Sequence, residues 1–184
     1  QTKQTNAEYK VFVEEMEKNK EFISQVLNYE DIVKNQQDGK ISAMLTLEEG
    51  EVCLGEIKKL EELYTYGVRM VTMVWNFCNS LSTSASKSAP VGTRRYAGSR
   101  PGLTETGIEF VERMEELGMI PDVSHMSDEG IEDLLQVAKK PFAASHSNAR
   151  SLCGHQRNLT DEFLRRMGEK GCVIGANFYS KFLK

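Results

Sequence analysis

The sequence predicts an α/β fold built on a parallel sheet, because amphipathic helical segments alternate with short apolar segments along the chain. Two further observations support this class. The apolar segments are hydrophobic nearly throughout, as in strands that are covered on both faces. Glycines stand where the helical segments end. Strands that alternate with helices in this way form parallel sheets through right-handed crossovers.

The first two units each consist of a helical pattern, a glycine and a strand. The first is predicted from apolar residues at helical spacing and a following strand at 40–47: Tyr9, Phe12, Met16, Ile23 and Val26, then Gly39 and KISAMLTL. The second is predicted in the same way, with its strand at 68–75: Ile57, Leu60 and Tyr64, then Gly67 and VRMVTMVW.

The remaining three helices each begin at a hydroxyl residue that is a typical N-cap, namely Thr104, Ser127 and Thr160. The apolar residues of the three patterns are Ile108, Val111, Met114 and Leu117; Ile131, Leu134, Leu135 and Ala138; and Phe163, Leu164 and Met167. Their strands are MIPDVS, PFAAS and CVIGANF, the first and last of them preceded by Gly118 and Gly171. The chain therefore contains five predicted strands.

Polar or aromatic side chains lie at the end of every predicted strand, and this observation indicates whether the sheet is a closed barrel or an open sheet. They are Glu48 and Glu49, Trp75 and Asn76, His125, His146, and Asn177. A ring of such groups from successive strands is typical of a (β/α)8 TIM-type barrel, whereas an open sheet binds its ligand near one switch point. No glycine-rich nucleotide-binding pattern follows a strand. A barrel has eight strands in about 250 residues, so residues 1–184 are interpreted as a single barrel fragment without the first strands and the last strand or strands.

The amino-acid composition limits the kinds of partner that the protein can bind. The chain has 23 Lys and Arg against 27 Asp and Glu, a net charge of −4, which argues against nucleic acid as a partner. No apolar stretch reaches the roughly 18 residues of a membrane span. The polar start QTKQTNAEYK has no signal-peptide pattern, and the four cysteines are scattered. We therefore expect a cytoplasmic protein with reduced thiols.

Two histidines form a candidate metal site with a carboxylate. His125 and His146 are 21 residues apart, which is one helix–strand unit. Adjacent strands are about 4.8 Å apart, so imidazoles at their ends can converge on one ion. Glu48 adds a carboxylate, and two histidines with one carboxylate are a usual hydrolytic zinc set. Capping or surface histidines would have the same spacing, and both interpretations stay open. His155 is interpreted as a surface residue of a loop.

These residues lie within longer segments that are similar to a known family. The segments are GKISAMLTLEEG, GVRMVTMVWN, PGLTETG, PDVSHMS, FAASHSNAR, QRNLTDE and IGANFY. In this order and spacing they resemble the renal (membrane) dipeptidase family of zinc metallopeptidases, a branch of the amidohydrolase-type barrels. TLEEG and VWN resemble its bacterial members.

The resemblance implies hydrolysis of dipeptides by a metal-activated water that bridges two zinc ions. It implies that Glu48 bridges the two ions and that His125 and His146 hold one of them. Arg157 matches the arginine that binds the C-terminal carboxylate of the substrate, a role suited to its planar fork. From the residues alone, Arg157 would be a solvated surface charge.

Three departures from the family pattern concern the site. The His-x-Asp pair that binds the other zinc and the late aspartate that serves the water have no counterpart in these 184 residues. Where some relatives have a histidine, this sequence has Trp75 and Asn76. Asn76 could donate a hydrogen bond to an oxyanion, and Trp75 would be a wall of the mouth. We therefore expect at most one zinc, weakly held, and little or no peptidase activity from this chain alone.

Two alternatives to a dipeptidase stay open. The chain could be a non-catalytic fragment of such a barrel, or part of a related binuclear amidohydrolase that acts on another amide or a lactam. Barrels of this family often form homodimers, and the sequence leaves dimerisation open. Residues 77–101 are rich in Ser, Gly and Pro and are predicted to form an irregular loop over the barrel mouth, with a disordered insertion as the alternative.

Overall fold

The computed structural model describes residues 2–86 and 100–184. Its helices are α1 (Thr2–Lys18), α2 (Tyr29–Gln37), α3 (Ile57–Thr65), α4 (Glu105–Leu117), α5 (Asp128–Val137) and α6 (Asp161–Glu169). Its strands are β1 (Ile23–Gln25), β2 (Ile41–Ala43), β3 (Leu45–Glu48), β4 (Val68–Thr72), β5 (Ile120–Asp122), β6 (Ala143–Ala144) and β7 (Val173–Ile174). Short 3-10 helices lie at Gly50–Cys53 and Ser180–Phe182.

Four of the predicted strands and the second part of the first one, β3, form one sheet in the order β3-β4-β5-β6-β7. Every neighbouring pair is parallel. The spatial order equals the chain order, with no reversal. A doubly wound sheet reverses its strand order at its switch point, whereas a barrel adds each strand beside the previous one. The topology is therefore that of consecutive barrel strands.

The predicted helix ends are confirmed at both termini. Thr104, Ser127 and Thr160 cap α4, α5 and α6, and each side chain accepts a hydrogen bond from the backbone N–H three residues later. Gly118 closes α4 with φ 76°, a left-handed conformation that glycine adopts without steric cost. The other predicted helix-ending glycines also have positive φ: Gly39, Gly67 and Gly171.

The first unit differs from its prediction. The helix α1 ends at Lys18, and Ile23 lies in β1 rather than in a helix. The predicted strand at 40–47 is divided, because β2 pairs with β1 in a separate two-stranded sheet while β3 joins the large sheet. Ile23 continues the helical spacing of Met16, so the apolar pattern could not reveal the break. The backbone pairing of Ile23 with Ile41 decided it.

The core lies between the helices and the large sheet. Phe110, Leu60 and Leu134 from the helices pack with Val71 and Val123 from the sheet segments, and all five are essentially inaccessible. In the interior strands β4 and β5 all residues are at least partly buried, as predicted for strands with two covered faces. The edge strands β3 and β7 instead contain exposed positions, because each has a neighbour on one side only.

Candidate metal centre

Glu48, His125 and His146 lie together at the carboxyl edge of the sheet. Glu48 is the last residue of β3, and the two histidines follow β5 and β6 within three residues. Because the strands are parallel, their carboxyl ends meet at one edge. One potential ligand atom from each residue lies within 4.8 Å of the other two. The expected convergence is confirmed, while the role of these residues as metal ligands stays a prediction.

The distances within the cluster suit a small cation. The Nε2 atoms of His125 and His146 are 3.0 Å apart. Glu48 Oε1 lies 3.3 Å from His125 Nε2 and 3.5 Å from His146 Nε2. Two nitrogens that bind tetrahedral zinc at about 2.05 Å stand roughly 3.3 Å apart. Two imidazoles and a carboxylate at this spacing fit a catalytic-type zinc ion by both chemistry and geometry.

His125 is held by its backbone and by Asn76. Its φ is 74°, an unusual value for a residue with a side chain, and its carbonyl accepts from Ala85 N at 2.8 Å. Its Nδ1 lies 3.1 Å from Asn76 Oδ1, so an Nδ1–H donates there and Nε2 keeps its lone pair. Burial, with a smaller contribution from the Arg157 charge, lowers the pKa of His125 to about 3. The ring is therefore neutral, as a metal ligand must be.

His146 is held by a chain of hydrogen bonds that begins at a buried carboxylate. Its Nδ1 lies 2.7 Å from Ser145 Oγ, which lies 2.5 Å from Asp122 Oδ2. The backbone N–H of His146 donates to Ser124 Oγ at 3.1 Å. Sequence analysis did not identify Asp122 as a site residue. The signal that could have found it is an acidic residue within the apolar strand segment MIPDVS, three residues before His125.

The two neighbouring glutamates after β3 have different environments. The side chain of Glu48 is 55% exposed and faces the histidines. Glu49, with φ 100°, turns the other way and accepts hydrogen bonds from Glu51 N, Trp75 N and Asn79 Nδ2. Burial raises the pKa of Glu49. Glu49 therefore holds the loops around the site rather than contributing to the cluster.

A cavity of about 450 Å³ opens beside Glu48. Trp75 lines it together with Thr46, Leu47 and Val52, and its role as a wall of the mouth stays a prediction. Asn177, the polar residue after β7, lies near the second histidine and donates from Nδ2 to His146 O at 3.4 Å. The predicted strand-end positions thus lie at one edge of the sheet, and among the described residues Glu48, His125 and His146 form the cluster whose potential ligand atoms lie within 4.8 Å of one another.

Arg157 is buried, and its expected exposure as a solvated charge is therefore wrong. Its residue exposure is 7%, and within the described part of the chain Nε and Nη2 have no hydrogen-bond partner. The loop folds inward because Arg157 N donates to His155 Nδ1, while Asn158 Nδ2 donates to Phe182 O. Burial lowers the pKa of Arg157 to about 10, opposed by the charges of Asp122 and Glu48. The guanidinium remains a cation with free donors.

His155 lies in the same loop as Arg157 and is half-buried rather than on the open surface. Its ring centroid lies 4.5 Å from that of Phe182. It does lie in a loop, as predicted, and outside the cluster.

The predicted loop at 77–101 is described in part. Residues 77–86 and 100–101 contain no helix and no strand beyond isolated bridges, as predicted, while 87–99 lie outside the described residues. The described part contacts the mouth, since Ser84 Oγ donates to Trp75 O at 2.6 Å and Ala85 N donates to His125 O. For residues 77–86, these contacts support the predicted loop at the mouth.

Comparison with known proteins identifies the family and the fold of the chain. The family model of the membrane dipeptidases, peptidase family M19, matches residues 1–184. The chain belongs to the membrane dipeptidase family. Within its described residues, no helix of this family member has the length and apolar character needed to cross a membrane.

Individual relatives support the family and the fold. The dipeptidase-family chain is 36% identical over 159 residues to an uncharacterized Klebsiella pneumoniae protein, covering 86% of this chain and 57% of that protein. It is 35% identical over 151 residues to an uncharacterized dipeptidase of Schizosaccharomyces pombe, covering 81% of this chain and 34% of the relative. An amidohydrolase from Pseudomonas aeruginosa superposes with a TM-score of 0.87 at 25% identity, covering 99% and 53% of the two chains.

The predicted fold class is confirmed, because five parallel strands in chain order follow the TIM-type barrel of amidohydrolase-type dipeptidases. This member of the dipeptidase family spans about half the length of the relatives that it matches. Membership in a metallopeptidase family implies a metal, and the cluster of Glu48, His125 and His146 has the donor set to hold one.

Proposed function

We propose that the chain carries part of the metal site of a zinc-dependent dipeptidase, which hydrolyses the peptide bond of dipeptides with a metal-activated bridging water. The observation that carries this proposal is the convergence of two Nε2 atoms and one carboxylate oxygen, with each Nδ1 engaged elsewhere. Each ring then directs a lone pair at the same point. The two Nε2 atoms are 3.0 Å apart, so a cation bound between them would accept both lone pairs.

Each site residue has a role in this proposal. When bound, zinc would polarise the substrate carbonyl and make water a nucleophile at neutral pH. His125 and His146 hold the ion as neutral ligands, and Glu48 holds it with a carboxylate from the other side of the cluster. Asn76 orients His125 through Oδ1, which leaves its Nδ2 group free to donate to a developing oxyanion.

Arg157 is proposed to bind the C-terminal carboxylate of the dipeptide. Two nitrogen atoms of its buried guanidinium have no partner among the described residues, and a buried cation without an acceptor is costly. A carboxylate offers two acceptors in the geometry of the guanidinium fork. Because the charge of Glu48 acts on the pKa of Arg157, the two side chains are near each other, and the carboxylate and the scissile bond would lie in one small mouth.

The metal proposal is tested by calorimetric titration of the chelator-treated chain with zinc. We expect one weakly held zinc per chain, because the described residues contain one such donor cluster. Two tight sites would contradict this stoichiometry, and no binding would contradict the metal site itself.

The carboxylate proposal is tested with the zinc-loaded chain. A dipeptide with a free C-terminus should bind at least about tenfold more tightly than its amide, since charge-assisted hydrogen bonds to a charged group contribute about 1.5–3 kcal/mol. Arg157→Met should remove this preference and leave zinc affinity unchanged. Arg165→Met is the matched control, because Arg165 pairs with Glu162 and Glu169 on the exposed face of α6. Equal binding of the acid and the amide by the unsubstituted chain would contradict the role of Arg157.

Activity is tested on a dipeptide panel, with this chain and with the longest natural polypeptide that contains it. We expect little turnover from the 184 residues. In the longer polypeptide we expect turnover that is lost on chelation and restored by zinc. Metal-independent turnover, or no turnover on any dipeptide, would refute the proposed activity.

A further inference from the structure

We propose that Asp122 acts through the hydroxyl of Ser145 as a positioning residue that fixes the tautomer and orientation of His146. The inference rests on the metal centre of the proposed function, because a fixed tautomer matters there. Its central test, however, needs no metal, so the two proposals can fail separately.

Asp122 is a fully buried carboxylate with four hydrogen-bond donors. Oδ1 accepts from Ser124 N at 3.0 Å and from Ser145 N at 2.8 Å. Oδ2 accepts from Thr72 Oγ1 at 2.7 Å and from Ser145 Oγ at 2.5 Å. Burying a carboxylate is costly unless it is hydrogen-bonded, and here both oxygens are paired. The structure thus holds a negative charge directly beneath the histidine that follows β6.

The positions of the protons follow from the donors available. A carboxylate only accepts hydrogen bonds, so the hydroxyl proton of Ser145 is directed at Asp122. Ser145 Oγ can then only accept from His146, whose Nδ1 lies 2.7 Å away and must carry the ring proton. The Nε2 of His146 therefore keeps its lone pair and directs it towards His125 Nε2 and Glu48 Oε1.

The other two rings of the chain provide internal comparisons. His125 has a neutral amide oxygen, that of Asn76, as its Nδ1 partner at the longer distance of 3.1 Å. His155 has the opposite arrangement, because its Nδ1 accepts from Arg157 N and its proton lies on Nε2. His146 is thus the ring whose Nδ1 partner, Ser145 Oγ, is itself hydrogen-bonded to a carboxylate. Of the two cluster rings, it is the one whose tautomer is held more firmly.

A purely structural role for Asp122 would have different consequences. Asp122 also connects β4, β5 and the segment after β6 through Thr72 and Ser145. A structural link alone would affect the free energy of unfolding and leave the tautomer of His146 unchanged. Ser145→Ala separates the two roles, since it removes one hydroxyl and leaves Asp122 with three donors.

The experiment measures the imidazole nitrogen shifts by long-range nitrogen–proton NMR. The metal-free chain, which has three histidines, is labelled with nitrogen-15 and measured at mildly alkaline pH. His155 is the internal reference for a proton on Nε2. We expect His146 to carry its proton on Nδ1 in the unsubstituted chain, to lose this preference in Ser145→Ala and Asp122→Asn, and to regain it in Ser145→Thr. Thr72→Val is the matched control, because it removes a donor to Asp122 Oδ2 without touching His146.

Zinc titration of the same variants provides the second measurement. Ser145→Ala and Asp122→Asn should lower zinc affinity by roughly 10–100-fold, the usual effect of losing an outer partner of a metal ligand. Ser145→Thr and Thr72→Val should not. An unchanged His146 tautomer in Ser145→Ala would overturn the inference, even if Asp122→Asn fails to fold. If the unsubstituted chain binds no zinc, the proposed function fails for this chain, and the NMR result still decides the inference.

Discussion

The histidines and the carboxylate of the candidate metal centre are held in different ways. His125 and His146 follow the interior strands β5 and β6, and each has a hydrogen-bond partner on its Nδ1. Glu48 ends the edge strand β3, and its side chain is 55% exposed, against 10% for His125 and 30% for His146. One side of the site is therefore fixed by buried neighbours, while the other faces the open cavity.

This difference shows that the position of a strand in the sheet decides how firmly the ligand at its end is oriented. An interior strand has neighbours on both sides that can supply outer partners, as β4 supplies Thr72 to Asp122. An edge strand has a neighbour on one side only. Glu48 accordingly depends on whatever covers β3, whereas the histidines are oriented before any metal arrives. We expect the histidines to dominate zinc affinity and Glu48 to modulate it.

Removal of a histidine should have the largest effect. We expect His146→Ala to lower zinc affinity by more than about 100-fold, because loss of an outer partner alone typically costs about 10–100-fold. Calorimetric titration measures this change. His155→Ala is the control, since that ring lies outside the cluster and should leave zinc affinity unchanged. Comparable affinities for the two variants would show that zinc binds elsewhere.

The two adjacent glutamates should give opposite results of intermediate size. Glu48→Ala removes a proposed direct ligand and should lower zinc affinity by more than about tenfold, the smallest usual effect of losing even an outer partner, but by less than His146→Ala because the Glu48 side chain is half-exposed. The same variant should leave unfolding in urea unchanged. Glu49→Ala should leave zinc affinity nearly unchanged but destabilise the fold by about 1–3 kcal/mol, because Glu51 N, Trp75 N and Asn79 Nδ2 lose their acceptor. The reverse pattern would contradict the assignment of the two carboxylates.

The smallest effect is expected at a helix cap away from the site. Thr160 Oγ1 accepts from Phe163 N at the start of α6. Thr160→Ala should lower the free energy of unfolding by about 1 kcal/mol, the usual cost of losing such a cap. Thr160→Ser keeps the hydroxyl and should retain most of the stability. Zinc affinity should be the same in both variants, and a change in it would mean that the site is coupled to α6.

Much of the architecture could be predicted because its signals are local. The starts of α4, α5 and α6 at Thr104, Ser127 and Thr160 follow from hydroxyl caps that act within three residues. The first unit could not be predicted in the same way. Ile23 keeps helical spacing with Met16, and its place in β1 depends on pairing with Ile41, eighteen residues away.

The sequence by itself determined the five strands of the large sheet and the three residues that cluster at their carboxyl ends. Because the strands are parallel, their carboxyl ends lie at the same edge of the sheet and bring Glu48, His125 and His146 together. Only the tertiary structure decided that Arg157 is buried, with Nε and Nη2 unpaired within the described residues, and that Asp122 lies behind His146. Both facts arise from contacts between distant segments: Asp122 joins Thr72, 50 residues away, and Ser145, 23 residues away. Burial and proton positions depend on such contacts, and no local pattern of residues encodes them.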